Sequence, residues 1–189
     1  MLAVFILGDV AISAVNEEIR INMLGYLPAG QKHFVVTQKA ANFSVKSVET
    51  GKAVFYGELK GPVEDYDTGD TCYIGDFSAL KLPGEYVIDI EGKGSSHKFK
   101  IAADVYREAF YKVVRAFYLQ RCGTAVSDPG GWGHDECHSK PGIYHKSTGM
   151  NGTLEASGGW HDAGDYGRYV VNSGISTATL LYMFERKKD

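Results

Sequence analysis

The hydrophobic pattern of the chain changes its period once, near Asp104, and this change constrains the fold more than any other feature. Between about residue 18 and residue 102, apolar and polar residues alternate in short runs, as in Tyr86, Ile88 and Ile90. Turn signals that contain Gly or Pro separate these runs. Several short alternating strands, with turns about every ten residues, predict an all-β sandwich over residues 18–102.

Beyond Asp104 the apolar residues recur at helical spacing. These residues are Val105, Ala109, Val113, Ala116 and Phe117. Because they fall on one face of a helix, the pattern predicts a helix that has Asp104 as its N-cap and ends near Cys122-Gly123. A second run of small and apolar residues predicts another helix from about Tyr166 to Arg186.

The two predicted helices and the segment between them do not make a complete core. Residues 123–159 are rich in Gly, His, Asp and Ser and show no period. An irregular segment of this length inside a folded protein is usually functional. Two amphipathic helices and a loop cannot bury their own apolar faces, because helices need a partner layer. We therefore expect residues 103–189 to be the N-terminal part of a larger all-α domain.

The N-terminal residues carry a weak export signal. Residues 2–7 are apolar and Ile12-Ser13-Ala14 is typical of a cleavage site, but no Lys or Arg precedes the run and Asp9 interrupts it. Residues 1–17 are therefore expected to be either a degenerate signal peptide or a plain extension. A signal peptide would predict a secreted or periplasmic protein.

Charge and hydropathy exclude two classes of partner. The net charge of −3 gives no basic footprint, which argues against nucleic acid. No segment approaches the roughly twenty apolar residues of a membrane span, which argues against a membrane. The 12% of aromatic residues slightly favours a sugar ligand. Among the aromatic residues of the strand region, Tyr56, Tyr66 and Tyr73 are nevertheless expected to pack in a core or an interface.

A set of cysteines and histidines has the chemistry of a metal site. The candidate ligands are Cys122, Cys137, His138 and His161. Two thiolates and two imidazoles suit tetrahedral zinc, and four protein ligands would make the site structural. The spacing equally permits a disulfide between the two cysteines of this set, and His134 and His145 are alternative ligands. Cys72, in a strand-like run, is expected to be a buried thiol.

Asp162 and Asp165 lie three residues apart among glycines and aromatic residues, just before the second predicted helix. A helix N-terminus favours ionised carboxylates, and an ionised carboxylate that takes a proton from water is a general base. In glycoside hydrolysis such a base works with a second carboxyl group that acts as the acid. From chemistry alone, a helix cap is the simpler role for either aspartate. A calcium loop is disfavoured, because oxygen ligands at EF-hand spacing are absent.

The same residues carry a family likeness. Residues 157–165, Ser-Gly-Gly-Trp-His-Asp-Ala-Gly-Asp, closely resemble the signature near the start of the catalytic domain of glycoside hydrolase family 9. Residues 19–28 resemble the first strand of the immunoglobulin-like domain that precedes many such catalytic domains, and residues 76–86 resemble its later strands. Residues 117–123 resemble the first barrel helix and its exit, so the likeness covers nearly the whole chain.

The resemblance implies an immunoglobulin-like β-sandwich over residues 18–102 and the first helices of an incomplete (α/α)6 barrel over residues 103–189. It implies cleavage of β-1,4-linked glucan with inversion, with Asp165 as the general base and Asp162 as a second aspartate that helps hold the water. The four Cys and His ligands named above would match the structural zinc site of family members. His161 stands where many endoglucanases have Tyr, as it does in zinc-binding members.

The catalytic domain of the family is much longer than residues 103–189. Its general-acid glutamate and its calcium-binding region lie beyond the part that this chain resembles. We therefore expect the chain to be a fragment that shows no detectable hydrolysis by itself, from a protein that is a monomer at full length. Two rival interpretations are a non-catalytic carbohydrate-binding or structural sandwich module with a barrel remnant, and an exo-β-glucosaminidase of the same family.

Overall fold

A computed structural model describes residues 13–186, and its contacts divide the chain into two compact units, residues 1–108 and 109–189. The signal peptide or extension predicted over residues 1–17 lies mostly outside the described residues. Within the part of the chain that the structure describes, neither helix combines the length and the apolar character that a membrane crossing needs.

The first unit is built from antiparallel strands. From residue 13 onward, where the structure describes it, this unit contains eight strands: β1 (Ile19–Arg20), β2 (His33–Val36), β3 (Asn42–Ser47), β4 (Ala53–Glu64), β5 (Thr71–Asp76), β6 (Gly84–Ile90), β7 (Gly94–Ser95) and β8 (Phe99–Ile101). The strand order is β1-β2-β5-β4-β3-β6-β7, and β8 also pairs with β6.

Strand β4 joins the two halves of the sandwich. Its first half pairs with β3, from Ala53 to Glu58, and its second half pairs with β5, from Leu59 to Glu64. The register on β5 shifts between Lys60 and Val63. A register shift of this kind bends a strand, which lets one long strand serve both layers. The predicted all-β sandwich is therefore confirmed.

The apolar residues that predicted strands form the core between the layers. Phe43 and Val45 lie in β3, and both side chains are buried. Aromatic rings meet at the centre, where the Phe77 centroid lies 5.1 Å from that of Tyr26 and 5.3 Å from that of Phe99. Such pairs add to the stabilisation that burial of the rings provides.

The expected packing of the three strand tyrosines is confirmed only for Tyr73, which packs against the core. Tyr56 is 76% exposed and Tyr66 is 95% exposed, so neither packs in the core of the sandwich. Cys72 is a buried free thiol, as its strand-like setting predicted. Alternation identified the strands correctly, but it did not identify which face of β4 is buried.

Lys32 is a fully buried cation at one end of the sandwich. Its Nζ donates to the carbonyl oxygens of Pro28 at 2.8 Å, Gly30 at 2.8 Å and Ser78 at 3.3 Å. Burial lowers the pKa of this ammonium group, because water would solvate the charge better. Three carbonyl acceptors satisfy its three donors, which makes the burial tolerable.

The second unit contains two helices and short irregular elements. These are α1 (Arg107–Leu119), β9 (Gly142–Ile143), β10 (Thr153–Leu154), a 3-10 turn (Lys146–Thr148) and α2 (Val170–Arg186). Strands β9 and β10 pair as a small hairpin. None of the described residues of either helix is buried, and Val113 and Ile175 are among the exposed apolar side chains.

Both helices are shorter than their periodicity predicted. Helix α1 begins at Arg107, after a turn in which the Arg107 amide donates to the Asp104 carbonyl at 2.9 Å, so Asp104 is not its N-cap. It ends at Leu119 rather than near Cys122, because the chain then pairs with residues 159–161. Helix α2 begins at Val170 rather than at Tyr166, because residues 162–167 form a closed turn.

Candidate metal centre and acidic turn

The structure brings the four candidate metal ligands together. These residues are Cys122, Cys137, His138 and His161, and one ligand atom from each lies within 4.8 Å of the others. The Cys137 Sγ and the His161 Nε2 are 3.3 Å apart. Tetrahedral zinc with ordinary Zn–S and Zn–N bond lengths holds its ligand atoms about 3.3–3.8 Å apart. Small side-chain adjustments would therefore complete a closed two-Cys, two-His shell.

Backbone pairing, rather than a regular element, assembles this group. After helix α1 the chain runs beside residues 158–161, so that the Cys122 amide donates to the Gly159 carbonyl at 2.9 Å. The His161 amide in turn donates to the Gln120 carbonyl at 2.9 Å. These bonds place Cys122 and His161 side by side, although they are far apart in the sequence.

Gly123 connects this pairing to the third ligand segment. Its amide donates to the Cys137 carbonyl at 3.0 Å. Its φ is +70°, and a Cβ at this position would lie 2.6 Å from the Gly158 nitrogen. Only glycine tolerates both the left-handed conformation and this close approach of two backbones. Gly123 is therefore the point at which three segments of the chain meet.

Tyr166 orients His161, one of the candidate ligands. The His161 Nδ1 lies 3.2 Å from the Tyr166 carbonyl oxygen, which fixes the proton on Nδ1 and leaves Nε2 as the ligand atom. The Tyr166 ring contacts the His161 ring edge-on, with centroids 5.2 Å apart. Burial raises the pKa of the Cys122 thiol, and the positive charge of a metal ion would oppose this effect.

Within residues 13–186 the structure supports neither the disulfide nor a ligand role for two further histidines. Cys122 and Cys137 are free thiols, so no disulfide joins them. The His134 Nδ1 bonds to the Asp135 carbonyl, and the His145 ring accepts from the Ser147 amide at the 3-10 turn. Neither histidine belongs to the four-residue group. The spacing of these residues in the sequence could not distinguish a metal site from a disulfide, or identify which histidines take part. The answer depends on how three segments that are remote in the sequence come together.

The acidic pair lies on a closed turn directly after His161, one of the four candidate ligands. The Asp162 amide donates to the Gly167 carbonyl at 2.8 Å, and the Tyr166 amide donates to the Ala163 carbonyl at 3.0 Å. The Asp165 Oδ1 accepts from the Gly167 amide at 2.9 Å. Helix α2 begins only at Val170, so neither aspartate is its N-cap.

Two residues that the sequence did not single out support this turn. The Asn172 Nδ2, in the first turn of α2, donates to the Asp162 Oδ1. The Arg168 guanidinium donates to the carbonyl oxygens of Ala156 and Gly158, which ties the turn to the segment that follows β10. No periodic signal could have revealed these contacts, because each depends on how residues 162–167 close.

Comparisons with known proteins agree with this architecture. Residues 14–95 match the cellulase N-terminal ig-like domain, and residues 106–189 match glycosyl hydrolase family 9. Endoglucanase D of Acetivibrio thermocellus is 36% identical over 177 residues, which are 92% of this chain and 28% of that protein. The chain therefore spans less than a third of this relative's length.

Solved structures resemble the fold over the same region. AaCel9A in complex with cellobiose-like isofagomine is 34% identical with a TM-score of 0.74, over 89% of this chain and 30% of that one. A Zn-binding triple mutant of GH family 9 endoglucanase J30 is 35% identical with a TM-score of 0.72, over 85% of this chain and 31% of that one. The two matched regions follow one another along the sequence, and the chain belongs to glycosyl hydrolase family 9, preceded by the cellulase N-terminal ig-like domain.

Proposed function

We propose that the complete polypeptide containing this chain hydrolyses β-1,4-linked glucan of the cellulose type with inversion at the anomeric carbon. The observation that carries this proposal is the acidic turn of residues 162–167, which follows the ligand His161 within the matched family region. The relative named an endoglucanase and the structure with a cellobiose-like inhibitor support the substrate class.

Asp165 is the general base in this proposal. The Gly167 amide donates to its Oδ1, which holds the carboxylate in one orientation on the turn. The second oxygen of the carboxylate takes a proton from a water molecule as that water attacks the anomeric carbon. Asp162, held in the same way by Asn172, accepts the other hydrogen of this water and keeps it in place.

An inverting mechanism needs a general acid on the opposite side of the scissile bond, with its carboxyl group roughly 6.5–9.5 Å from that of the base. We assign the acid to the part of the family's catalytic domain that this chain does not match. The 189-residue chain is therefore expected to show no turnover by itself.

We further propose that Cys122, Cys137, His138 and His161 hold a structural zinc ion. The donor set and the 4.8 Å limit on the separation of its atoms fit zinc. With four protein ligands the ion supplies a cross-link and leaves no position for substrate or water. His161 precedes Asp162 directly, so the cross-link also positions the acidic turn.

The zinc proposal is tested on the purified 189-residue chain by elemental analysis together with thiol titration. We expect about one zinc per chain, at least about tenfold weaker zinc binding in Cys137→Ser, and unchanged binding in Cys72→Ser. Cys72 is the matched control, because it is also a free thiol but lies in the sandwich. A zinc content near zero, with Cys122 and Cys137 oxidised to each other, would contradict the proposal.

The catalytic proposal is tested on the polypeptide encoded by the complete reading frame. Asp165→Asn should reduce hydrolysis of cello-oligosaccharides about 10²–10⁴-fold, whereas Asp67→Asn, on an exposed sandwich loop, should not. The newly formed reducing end should appear first as the α-anomer by NMR. Retention of the β-anomer, or activity confined to chitosan oligomers, would refute the stated mechanism or substrate.

Export to the periplasm or medium belongs to the same proposal, because polymeric glucan does not enter cells.

A further inference from the structure

Asn151 is the one asparagine of the chain that directly precedes a glycine. It lies in the loop between strands β9 and β10, where both Asn151 and Gly152 are exposed to solvent. In the part of the chain that the structure describes, no hydrogen bond holds the Asn151 side chain. The side chain can therefore rotate between its rotamers, some of which bring its carbonyl carbon Cγ toward the Gly152 nitrogen.

The backbone of Gly152 is uncommitted and accessible. Its φ is +98°, and nothing lies within 4 Å of the point that a Cβ would occupy. Its carbonyl oxygen accepts from the Tyr144 amide at 3.4 Å, but within residues 13–186 its own amide donates to no acceptor. Because glycine has no side chain, nothing of its own residue shields the nitrogen.

The other four asparagines have settings that oppose the same approach. Asn16, Asn22 and Asn172 use their side-chain amides in hydrogen bonds. Asn42 is exposed, but it lies in strand β3 and precedes Phe43, whose buried ring fixes the backbone there. Asn42 thus matches Asn151 in exposure and differs from it in the following residue.

We propose that Asn151-Gly152 is a site of spontaneous deamidation. The Gly152 nitrogen attacks Cγ of Asn151, so that a new N–Cγ bond forms and the Cγ–Nδ2 bond breaks. Ammonia leaves with the proton of the Gly152 amide, and a five-membered succinimide ring remains. Water then opens the ring at either carbonyl carbon and gives aspartate or isoaspartate. Each conversion consumes one water and releases one ammonia, and it needs no oxidant, reductant or enzyme.

The two products differ in their effect on the loop. Aspartate adds a negative charge and leaves the main chain unchanged. Isoaspartate routes the main chain through the former side chain, which adds a carbon atom to the backbone before Gly152. The added atom shifts Gly152 away from the Tyr144 amide and disturbs the pairing of β9 with β10. The loop of residues 144–152 should therefore loosen, whereas the four candidate metal ligands lie outside it.

The test incubates the 189-residue chain in mildly alkaline buffer and maps its peptides by mass spectrometry after digestion in acid, where deamidation is slow. We expect Asn151 to gain roughly one dalton at least about tenfold faster than Asn42, with both products resolved by chromatography. Gly152→Ala should slow the conversion at least about tenfold, because its methyl group shields the nitrogen. Peptides of residues 148–155, with and without Gly152→Ala, measure this chemical effect apart from the folded loop.

The loosening of the loop is measured by trypsin cleavage after Lys146, which lies in the 3-10 turn of the same loop. Cleavage should be faster in the incubated chain than in the fresh chain. Asn151→Asp is the matched control, because it carries the added charge without the added backbone atom. It should be cleaved at the rate of the fresh chain.

The outcomes test the proposal independently of the proposed function. If Asn151 keeps its amide as long as Asn42 does, the site is refuted. If aspartate forms without isoaspartate, or if Gly152→Ala reacts at the parent rate in both chain and peptide, the attack by the Gly152 nitrogen is refuted. If isoaspartate accumulates while cleavage after Lys146 stays unchanged, the modification stands and the loosening of the loop is refuted.

Discussion

Gly123 offers the sharpest test of how the candidate metal centre is built. The substitution Gly123→Ala places a methyl group 2.6 Å from the Gly158 nitrogen and 3.1 Å from its Cα, at a φ of +70°. Both neighbours are backbone atoms, which cannot rotate away as a side chain can. The pairing of residues 120–123 with residues 158–161 therefore has to open, and this separates Cys122 from His161.

The expected magnitude has two parts. An alanine in the left-handed region loses about 1–2 kcal/mol relative to glycine. The steric overlap adds roughly 1–3 kcal/mol, as in other overpacked sites. Gly149 isolates the first part, because its φ is +68° and nothing lies within 4 Å of the point that a Cβ would occupy there. Gly149→Ala should therefore show the conformational part alone.

The assay is thermal unfolding of the 189-residue chain followed by tryptophan fluorescence. Both tryptophans, Trp132 and Trp160, lie in residues 109–189, so the signal reports the second unit. For a unit of this size each kcal/mol lowers the midpoint by roughly 4–8 °C. Gly149→Ala should lower it by roughly 4–16 °C, and the steric overlap in Gly123→Ala should lower it by roughly a further 4–24 °C. Zinc binding should weaken only in Gly123→Ala.

Equal effects of the two substitutions would refute the reasoning. If Gly123→Ala matched Gly149→Ala in both midpoint and zinc content, the close approach to Gly158 would not hold the ligand segments together. A loss of zinc without any additional loss of stability would also count against it, because the same backbone contact is expected to determine both.

Other parts of the molecule give three further predictions. Phe77→Ala removes a fully buried ring and should destabilise the sandwich by about 3–5 kcal/mol in urea unfolding. Lys32→Met leaves three partly buried carbonyl oxygens without their donor and should lower the free energy of unfolding by roughly 1–3 kcal/mol. The hydrogen bond from Arg115 lowers the pKa of Asp128 below its usual 3.8, so its stabilising contribution is present above pH 3.8 and is lost as the pH falls through the lowered value. In acid titrations Asp128→Asn should therefore differ from the parent above pH 3.8 and converge with it below; a constant difference would contradict the ion pair.

The sandwich could be predicted from the sequence because its strands bury one face. Phe43 and Val45 alternate with polar neighbours because successive side chains of a strand point to opposite faces, and these two point into the core. Ser44 between them is also covered, so the alternation in the sequence follows the core face and not burial alone. The alternation of apolar and polar residues was therefore enough to predict most of the strands. Tyr56 shows the limit, since it has a strand-forming side chain but lies on the exposed face of β4.

The metal centre could be predicted as chemistry but not as geometry. The types of side chain at Cys122, Cys137, His138 and His161 suggested zinc, yet their spacing left a disulfide equally open. Whether these residues form a metal site or a disulfide depends on the pairing of residues 120–123 with residues 158–161, which is a contact between segments that are remote in the sequence. The same pairing also ends helix α1 at Leu119 rather than near Cys122. One contact that the sequence did not predict therefore accounts for the early end of the helix and for the arrangement of the four candidate ligands.

The spacing of the four candidate ligands allows the length of the chain between them to vary. The proposed metal, by joining residues 122, 137, 138 and 161, would divide a long stretch of chain into two closed loops. Each doubling of loop length adds only about 0.6 kcal/mol to the entropy of closure. Insertions among residues 144–152, between β9 and β10, would thus leave the ligands and the acidic turn in place. Evolution can use this stretch to vary the surface near the turn while the anchor itself stays fixed.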